Sequence, residues 1–411
     1  MYYMNMENRQ GSTSSLTLAI FLCFILGLVA GAIWGKDILP VARPMKQIFL
    51  RLLKMAIMPL IVTSIISAVI KVGHLGRMSI KTFGYYIVSS LMAIFTGQFL
   101  VNLFKPGIGA DVMLTQEPVT VAAAQQSVGD MLIEMIPENP FSSLVNGDVL
   151  PVIFFSILFA VFVVRLEEER RCLMGDWFSA AFDAMLKMTL FVVWSAPLGV
   201  FAIAAQIVAE TGFEAFVSLG FYFGVVLLGL LIHMGLNLPV LLFFVGRVNP
   251  WKHYKGMGRP LLFGFSTCST MVTLPLTMKA VTGNSKVSQK IAGFTLPIGA
   301  TVNMDGTALY ECVAVIFIAQ VYGFELTFGA QMMVAFTALL ASIGAASVPM
   351  SGMVMMTIIL KAVGLPLEGV GIILAVDRIL DMFRTTANIL SDSCGAVIVA
   401  RLEGESLEGM G

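Results

Sequence analysis

Long apolar stretches alternate with short polar ones along the first 250 residues. The runs at about 16–36, 43–71, 80–104, 143–164, 177–209 and 214–246 are long enough to cross a bilayer as helices, which takes roughly 20 apolar residues. From residue 255 the pattern changes. Apolar segments are cut by polar, small or proline-containing clusters: FSTCSTMVTLP (265–275), NMDGT (303–307) and GAASVPMSG (344–352). A broken helix leaves backbone N–H and C=O groups unpaired, which lipid does not tolerate. Such breaks persist where they line a cavity. Paired interruptions of this kind point to the midplane site of a secondary transporter, built from two related units, here 255–322 and 328–402.

Composition agrees with this pattern. The 411 residues are 58% hydrophobic and 12% charged, against about 25% charged in soluble domains. The chain reads as a polytopic, all-α membrane protein. Net charge is zero, so nothing points to nucleic acid or to a polybasic surface partner. The five cysteines are scattered, with no CxxC, and read as small core residues. The three histidines are far apart and form no metal-ligand spacing. The polar segment 1–15 lacks a basic leader pattern, so the run from Leu16 is expected to be retained as the first span.

Loop charges orient the spans. Between Pro106 and Val164 there is no Lys or Arg, but there are six acids. Lys71, Arg77 and Lys81, then Arg165, Arg170 and Arg171, then Arg247, Lys252, Lys255 and Arg259 mark the opposite side. The positive-inside rule puts that side, both termini and the 403–411 tail in the cytoplasm. Lys36, Arg43 and Lys46 run against the rule and are expected to snorkel to the interface.

The segment 377–392, DRILDMFRTTANILSD, carries five charges inside an apolar stretch. An ionisable side chain at bilayer depth costs roughly 2.5–3.5 kcal/mol. Asp377, Asp381, Arg384, Asn388 and Asp392 fall on one helix face within about 80°, and Arg378 lies at the edge. Such a stripe must line a protein interior or a watery site. A network that only locks helices together is the plainer reading, but the acids outnumber the arginine on this face, and the surplus asks for cations. Asn303 and Asp305 are hard oxygen ligands suited to Na⁺, in a stretch loosened by Gly306. Ser269, Thr270 and Thr273, with exposed amides at a half-helix N-terminus, can cradle a carboxylate. Arg384 offers a forked donor for a second carboxylate, and Asp381 can hold an ammonium. Together these features describe an acidic amino acid. Glu311, in an otherwise apolar helix, is a candidate proton carrier, because a buried carboxyl is most stable as the neutral acid. Tyr86, Ser89 and Ser90 form a hydroxyl patch that alone is weak evidence, since helical Ser often bonds to its own backbone.

Five segments resemble the dicarboxylate/amino acid:cation symporters, the family of the excitatory amino acid (glutamate) transporters and their prokaryotic homologues. These are LRLLKMAIMPLIVTSII (50–66), NPFSSLVNGDVLPVIFF (139–155), SAPLGVFAIAA (195–205), NMDGTALYE (303–311) and DMFRTTANILSD (381–392). The last two are the most specific. The resemblance implies eight transmembrane helices plus two re-entrant helical hairpins, inverted repeats and an elevator-type homotrimer. Residues 16–254 would form a six-helix region that supplies the trimerisation scaffold and part of the moving body. Residues 255–402 would form the core of the transport domain.

The resemblance also implies roles. Arg384 would bind the substrate's side-chain carboxylate and Asp381 its amino group. Thr307 and Asn388 would hold the α-carboxylate with amides near Thr270, and Thr385, Val348 and Gly352 would complete the site. One Na⁺ site would use Asn303, Asn388 and Asp392. A second would use Tyr86, Ser89, Ser90, Asn303 and Asp305. A third would use carbonyls near Thr301 and Ser342. The hairpin tip at Val348, Pro349 and Gly352 would be the extracellular gate, and Glu311 would carry a proton. Family members usually place a second arginine near the site, at positions that match Cys268 and Met382 here. The short outer loop at 107–140 favours a prokaryotic source and a cell inner membrane.

The expected protein is therefore no enzyme and needs no organic cofactor. It is a Na⁺-coupled, and also H⁺-coupled, symporter of L-glutamate and L-aspartate. A neutral amino acid or C4-dicarboxylate carrier is the alternative within the family. An intramembrane aspartyl protease would need two facing carboxyls, whereas Asp377 and Asp381 share one helix. An anion channel differs in its inability to accumulate cargo uphill.

Overall fold

A computed structural model describes residues 19, 22–72, 77–109, 133, 136–211, 214–344 and 351–407. Among the described residues all regular structure is helical. Helix α1 (22–34) turns through Gly35–Ile38 into α2 (Leu39–Val72), and α3 (Arg77–Phe104) follows. A short α4 (Pro140–Asn146), N-capped by Asn139, precedes α5 (Val149–Val164). Then come α6 (Glu168–Val193), α7 (Ala196–Thr211), α8 (Glu214–Ile232) and α9 (Leu238–Phe244). One π-helical turn, His233–Asn237, joins the last two without a break.

Among the described residues, four helical stretches are long and apolar enough to cross a membrane: Leu22–Phe49, Met78–Phe104, Ser218–Phe244 and Gln289–Val321. Large apolar side chains such as Ile33, Phe99, Phe191 and Phe244 point outward, while Asn303, Asp305, Glu311 and Ser391 are fully buried. That inside-out arrangement suits a lipid solvent.

The apolar run 177–209 is two helices rather than one. The chain turns at Trp194–Ser195, where Ser195 Oγ donates to the Val192 carbonyl at 2.6 Å. Pro197 then starts α7 at a position where a missing N–H costs nothing. Arg43 pairs with Glu210 at 3.1 Å and ties α2 to the end of α7.

The last third folds as two hairpin-plus-helix units. In the first, α10 (Pro250–Thr267) and α11 (Thr270–Gly283) form a helical hairpin. Asn284 Nδ2 bonds to the Gly256 carbonyl at its base at 2.8 Å. Its tip is two residues long. Cys268 has φ +51°, a left-handed position that glycine usually fills, and Ser269 caps α11 through Val272 N. Next, α12 (Gln289–Val302) ends at Asn303–Met304, and α13 (Asp305–Val321) resumes the path. In the second unit, α14 (Phe328–Gly344) and α15 (Ser351–Ala362) precede α16 (Val370–Leu402), which has no break. The 345–350 tip, with Val348 and Pro349, lies outside the described residues.

Packing sorts these elements. α2 lies against α5, α6 and α7. α16 lies against α3, α8, α10, α11, α12 and α13, and α13 packs on α3 and α14. α16 also touches α7, α9 and α15, so the helix with the charged stripe is enclosed by both hairpin units and by four of the earlier helices.

Candidate functional site

Arg384 is 1% exposed. Its Nη2 lies 2.8 Å from Asp381 Oδ1 and 3.3 Å from Asp377 Oδ1. The guanidinium carbon sits 3.9 Å from the centroid of the Tyr310 ring, a cation–π contact that strengthens when water is excluded. Nε and Nη1 have no hydrogen-bond partner. Each shares an edge of the rigid fork with Nη2, and either edge has the spacing that matches a carboxylate. Gly352 packs on the same guanidinium, and a Cβ there would overlap Nη1. The second hairpin can come this close only because the residue is glycine.

One turn further along α16, Asn388 joins the two units. Its Oδ1 accepts from Gly306 N at 2.8 Å, and its Nδ2 donates to Thr307 Oγ1 at 3.2 Å. The Gly306 N–H can only donate, so it fixes which end of the amide is oxygen. Gly306 itself lies flat against the Arg384 carbonyl. Thr270, at the first hairpin tip, donates to the Ala300 carbonyl at 3.1 Å. Thr385 is buried on α16. Thr270, Thr307, Asp381, Arg384, Thr385, Asn388 and Gly352 are thus carried by elements that converge on α16.

A second cluster of oxygens lies deeper. Ser90 Oγ is 2.5 Å and Ser89 Oγ 3.3 Å from Asp305 Oδ1. Ser89 also reaches Asn303 Oδ1 at 3.3 Å. Asn303 Nδ2 donates to Asp392 Oδ1 at 2.9 Å. These are hard oxygen donors, the kind that suits an alkali or alkaline-earth cation rather than a transition metal. Among the described residues no group of three His, Cys, Asp or Glu gathers as a metal site. The Tyr86 hydroxyl makes its hydrogen bond elsewhere than to Asp305. It donates to the Thr295 carbonyl at 2.7 Å and lies beside Asp392 over Gly299. Thr301 and Ser342 bond to carbonyls of their own helices, α12 and α14, which pack together.

The structure adds residues that the sequence pattern did not single out. Ser391 Oγ lies 2.5 Å from Asp305 Oδ2 and accepts from Asn303 Nδ2 at 2.9 Å. It belongs to the same stripe, three residues beyond Asn388, so the helical period could have found it. His233 Nε2 lies 3.2 Å from Asp305 Oδ2, and its Nδ1 is 3.3 Å from Asn237 Nδ2. His253 is held between Ser285 and Ser393 at 2.9 Å on each side, which fastens the first hairpin's base to α16. Glu311 is fully buried, neither of its oxygens has a hydrogen-bond partner, and Arg384 is within electrostatic reach.

The profile of the sodium:dicarboxylate symporter family matches residues 16–402. Excitatory amino acid transporter 3 of Mus musculus is 34% identical, over 96% of this chain and 86% of its own length. The proton/sodium-glutamate symport protein of Bacillus subtilis is 32% identical, over 95% of this chain and 93% of its own. Excitatory amino acid transporter 2 of Homo sapiens is 31% identical, over 98% of this chain and 81% of its own.

Proposed function

The chain belongs to the sodium:dicarboxylate symporter family, and from that premise we propose that it takes up L-glutamate and L-aspartate with Na⁺ and a proton. Na⁺ is the coupled ion in the family's description and in the name of the Bacillus relative, which also names the proton and glutamate. The observation that carries the reading is Arg384. It is a buried guanidinium with two unpartnered nitrogens, fixed by two acids of its own helix and by the Tyr310 ring, and its helix also bears ion ligands.

In this reading the Arg384 fork takes the side-chain carboxylate and Asp381 takes the ammonium. The Asn388 Nδ2 and the Thr307 hydroxyl, now bonded to each other, turn to the α-carboxylate, helped by amides near Thr270. Gly352 brings the second hairpin down over the arginine as the gate. Asp305, Ser89, Ser90 and Asn303 hold one Na⁺, with Tyr86 at its edge. Asn303, Asn388 and Asp392 hold another, and carbonyls near Thr301 and Ser342 a third. Asn303 and Asn388 each serve two ligands, so cargo and cation stabilise each other's site. Glu311 carries the proton. The cargo crosses by an elevator movement of 255–402 with parts of the earlier helices, against a trimeric scaffold built from the rest of 16–254. The protein sits in a prokaryotic inner membrane with both termini in the cytoplasm.

Calorimetric titration of the purified protein with L-glutamate or L-aspartate tests the reading. Binding should require Na⁺ and tighten as Na⁺ rises. Equal binding in choline and in Na⁺ would overturn the coupling.

A further inference from the structure

Ser391 touches two hard ligands of the deep cluster at once. Its hydroxyl lies 2.5 Å from Asp305 Oδ2 and 2.9 Å from Asn303 Nδ2. A hydroxyl has a single proton to give, and an amide nitrogen can only donate. Ser391 Oγ therefore accepts from Asn303 and passes its own proton to the carboxylate. The residue is fully buried, and its backbone is tied as well, since the Tyr85 hydroxyl donates to the Ser391 carbonyl at 3.0 Å.

The two ends of Asp305 are thereby unlike. Oδ1 faces Ser89 and Ser90 on α3. Those hydroxyls can turn when a cation takes their oxygens, and Ser89 already lies 3.2 Å from the Tyr86 carbonyl. Oδ2 points the other way, to Ser391 and to His233 Nε2 at 3.2 Å. Asn303 is divided in the same manner. Its nitrogen donates to Ser391 and to Asp392 Oδ1, at 2.9 Å each, which leaves its Oδ1 facing Ser89 at 3.3 Å. The outward oxygens of the carboxylate and the amide thus converge beside Ser89, and their far ends converge on Ser391.

We infer that Ser391 is a positioning residue of the deep cation site. Without touching the ion, it holds the far ends of Asp305 and Asn303 so that Oδ1 of each faces the same point. The inference rests on the reading of this cluster as a Na⁺ site and adds the group that aims two of its ligands together. His233 grips only the carboxylate and Asp392 only the amide. In Ser391→Ala each ligand keeps one of these partners, and the tie between the two ligands is lost. Partners that orient a metal's ligands are worth about 10–100-fold in affinity.

The test is thermal unfolding of the purified full chain without cargo, as Na⁺ replaces choline at constant ionic strength. Wild type is compared with Ser391→Ala, Ser391→Cys and Ser393→Ala. Ser393, two residues further on, bonds to His253 at the base of the first hairpin and reports on packing alone. Na⁺ should raise the wild-type midpoint. The Na⁺ concentration that gives half of this rise should increase about tenfold or more in Ser391→Ala. It should increase less in Ser391→Cys, whose thiol is a weaker donor, and that variant carries the test if the Ala variant does not fold. Ser393→Ala should lower the midpoint in choline and leave the Na⁺ requirement unchanged. A wild-type Na⁺ requirement in the Ser391 variants, whatever their midpoint in choline, overturns the inference. So does an equal shift in Ser393→Ala, which marks a general loosening of α16. A wild type whose midpoint is indifferent to Na⁺ overturns the reading of the cluster as a cation site, and the inference with it.

Discussion

Asn303 donates its side-chain N–H to Asp392 Oδ1 at 2.9 Å, joining the break between α12 and α13 to the far end of the charged stripe on α16. The oxygen end of the same amide faces Ser89 on α3 at 3.3 Å. Three elements distant in sequence thus share one amide. A cation held there would draw them together, and loss of any one acid should weaken it.

Asp392→Asn keeps the shape and removes the charge. Losing an outer partner of a bound metal costs about 10–100-fold in affinity, and losing a charged ligand should cost no less. The half-saturating Na⁺ for aspartate binding is expected to rise at least about tenfold. A Na⁺ titration identical to wild type would remove Asp392 from the ion site.

Arg384→Cys removes the fork and leaves Asp377 and Asp381 without their buried partner. Truncating one member of such a pair costs roughly 2–5 kcal/mol, so acidic amino acid binding should fall by about two orders of magnitude or more. Small neutral amino acids, whose ammonium still meets Asp381, should be spared. Calorimetry with L-aspartate and L-serine separates the two, and unchanged aspartate affinity would contradict the assigned role.

Glu311→Gln fixes this buried side chain in a neutral form. If Glu311 carries the proton, an inward proton gradient accelerates wild-type glutamate uptake and has no effect on the variant, which still exchanges internal for external glutamate. Uptake rates at fixed Na⁺ with imposed pH gradients read this out. A variant that keeps the wild-type response shows that the proton travels on another group.

Gly352→Ala places a methyl group against the Arg384 guanidinium. Overpacking a filled site costs about 1–3 kcal/mol. Substrate affinity should fall by about tenfold with little change in the Na⁺ requirement measured at saturating substrate. Wild-type affinity would mean that the second hairpin does not close on the arginine.

Much of this site could be read from the chain. Asp377, Asp381, Arg384, Asn388 and Asp392 were legible because a 3.6-residue period puts them on one face, and α16 is an unbroken helix. The helix break at Asn303–Met304 and the hairpin turn at Cys268–Ser269 were legible because polar and small residues interrupt apolar runs. His233 was not. It reaches Asp305 from the start of a π-helical turn, and such a turn resets the side-chain direction without a sequence mark of its own. The Tyr310 ring under Arg384 was hidden because an aromatic in an apolar helix looks like core. The break at Trp194–Ser195 was hidden because apolar residues flank it on both sides. Arg43 passed for an interfacial lysine-like side chain because Glu210 lies 167 residues away.

The central claim is coupled uptake, and proteoliposome transport tests it most directly. Labelled L-glutamate or L-aspartate is presented under Na⁺, H⁺ and K⁺ gradients imposed one at a time. The account predicts transient accumulation above the external concentration whenever Na⁺ is higher outside, abolished when Na⁺ is equal on both sides and no other gradient is present. Uptake that only equilibrates, or that accumulates to the same level without Na⁺, would contradict it.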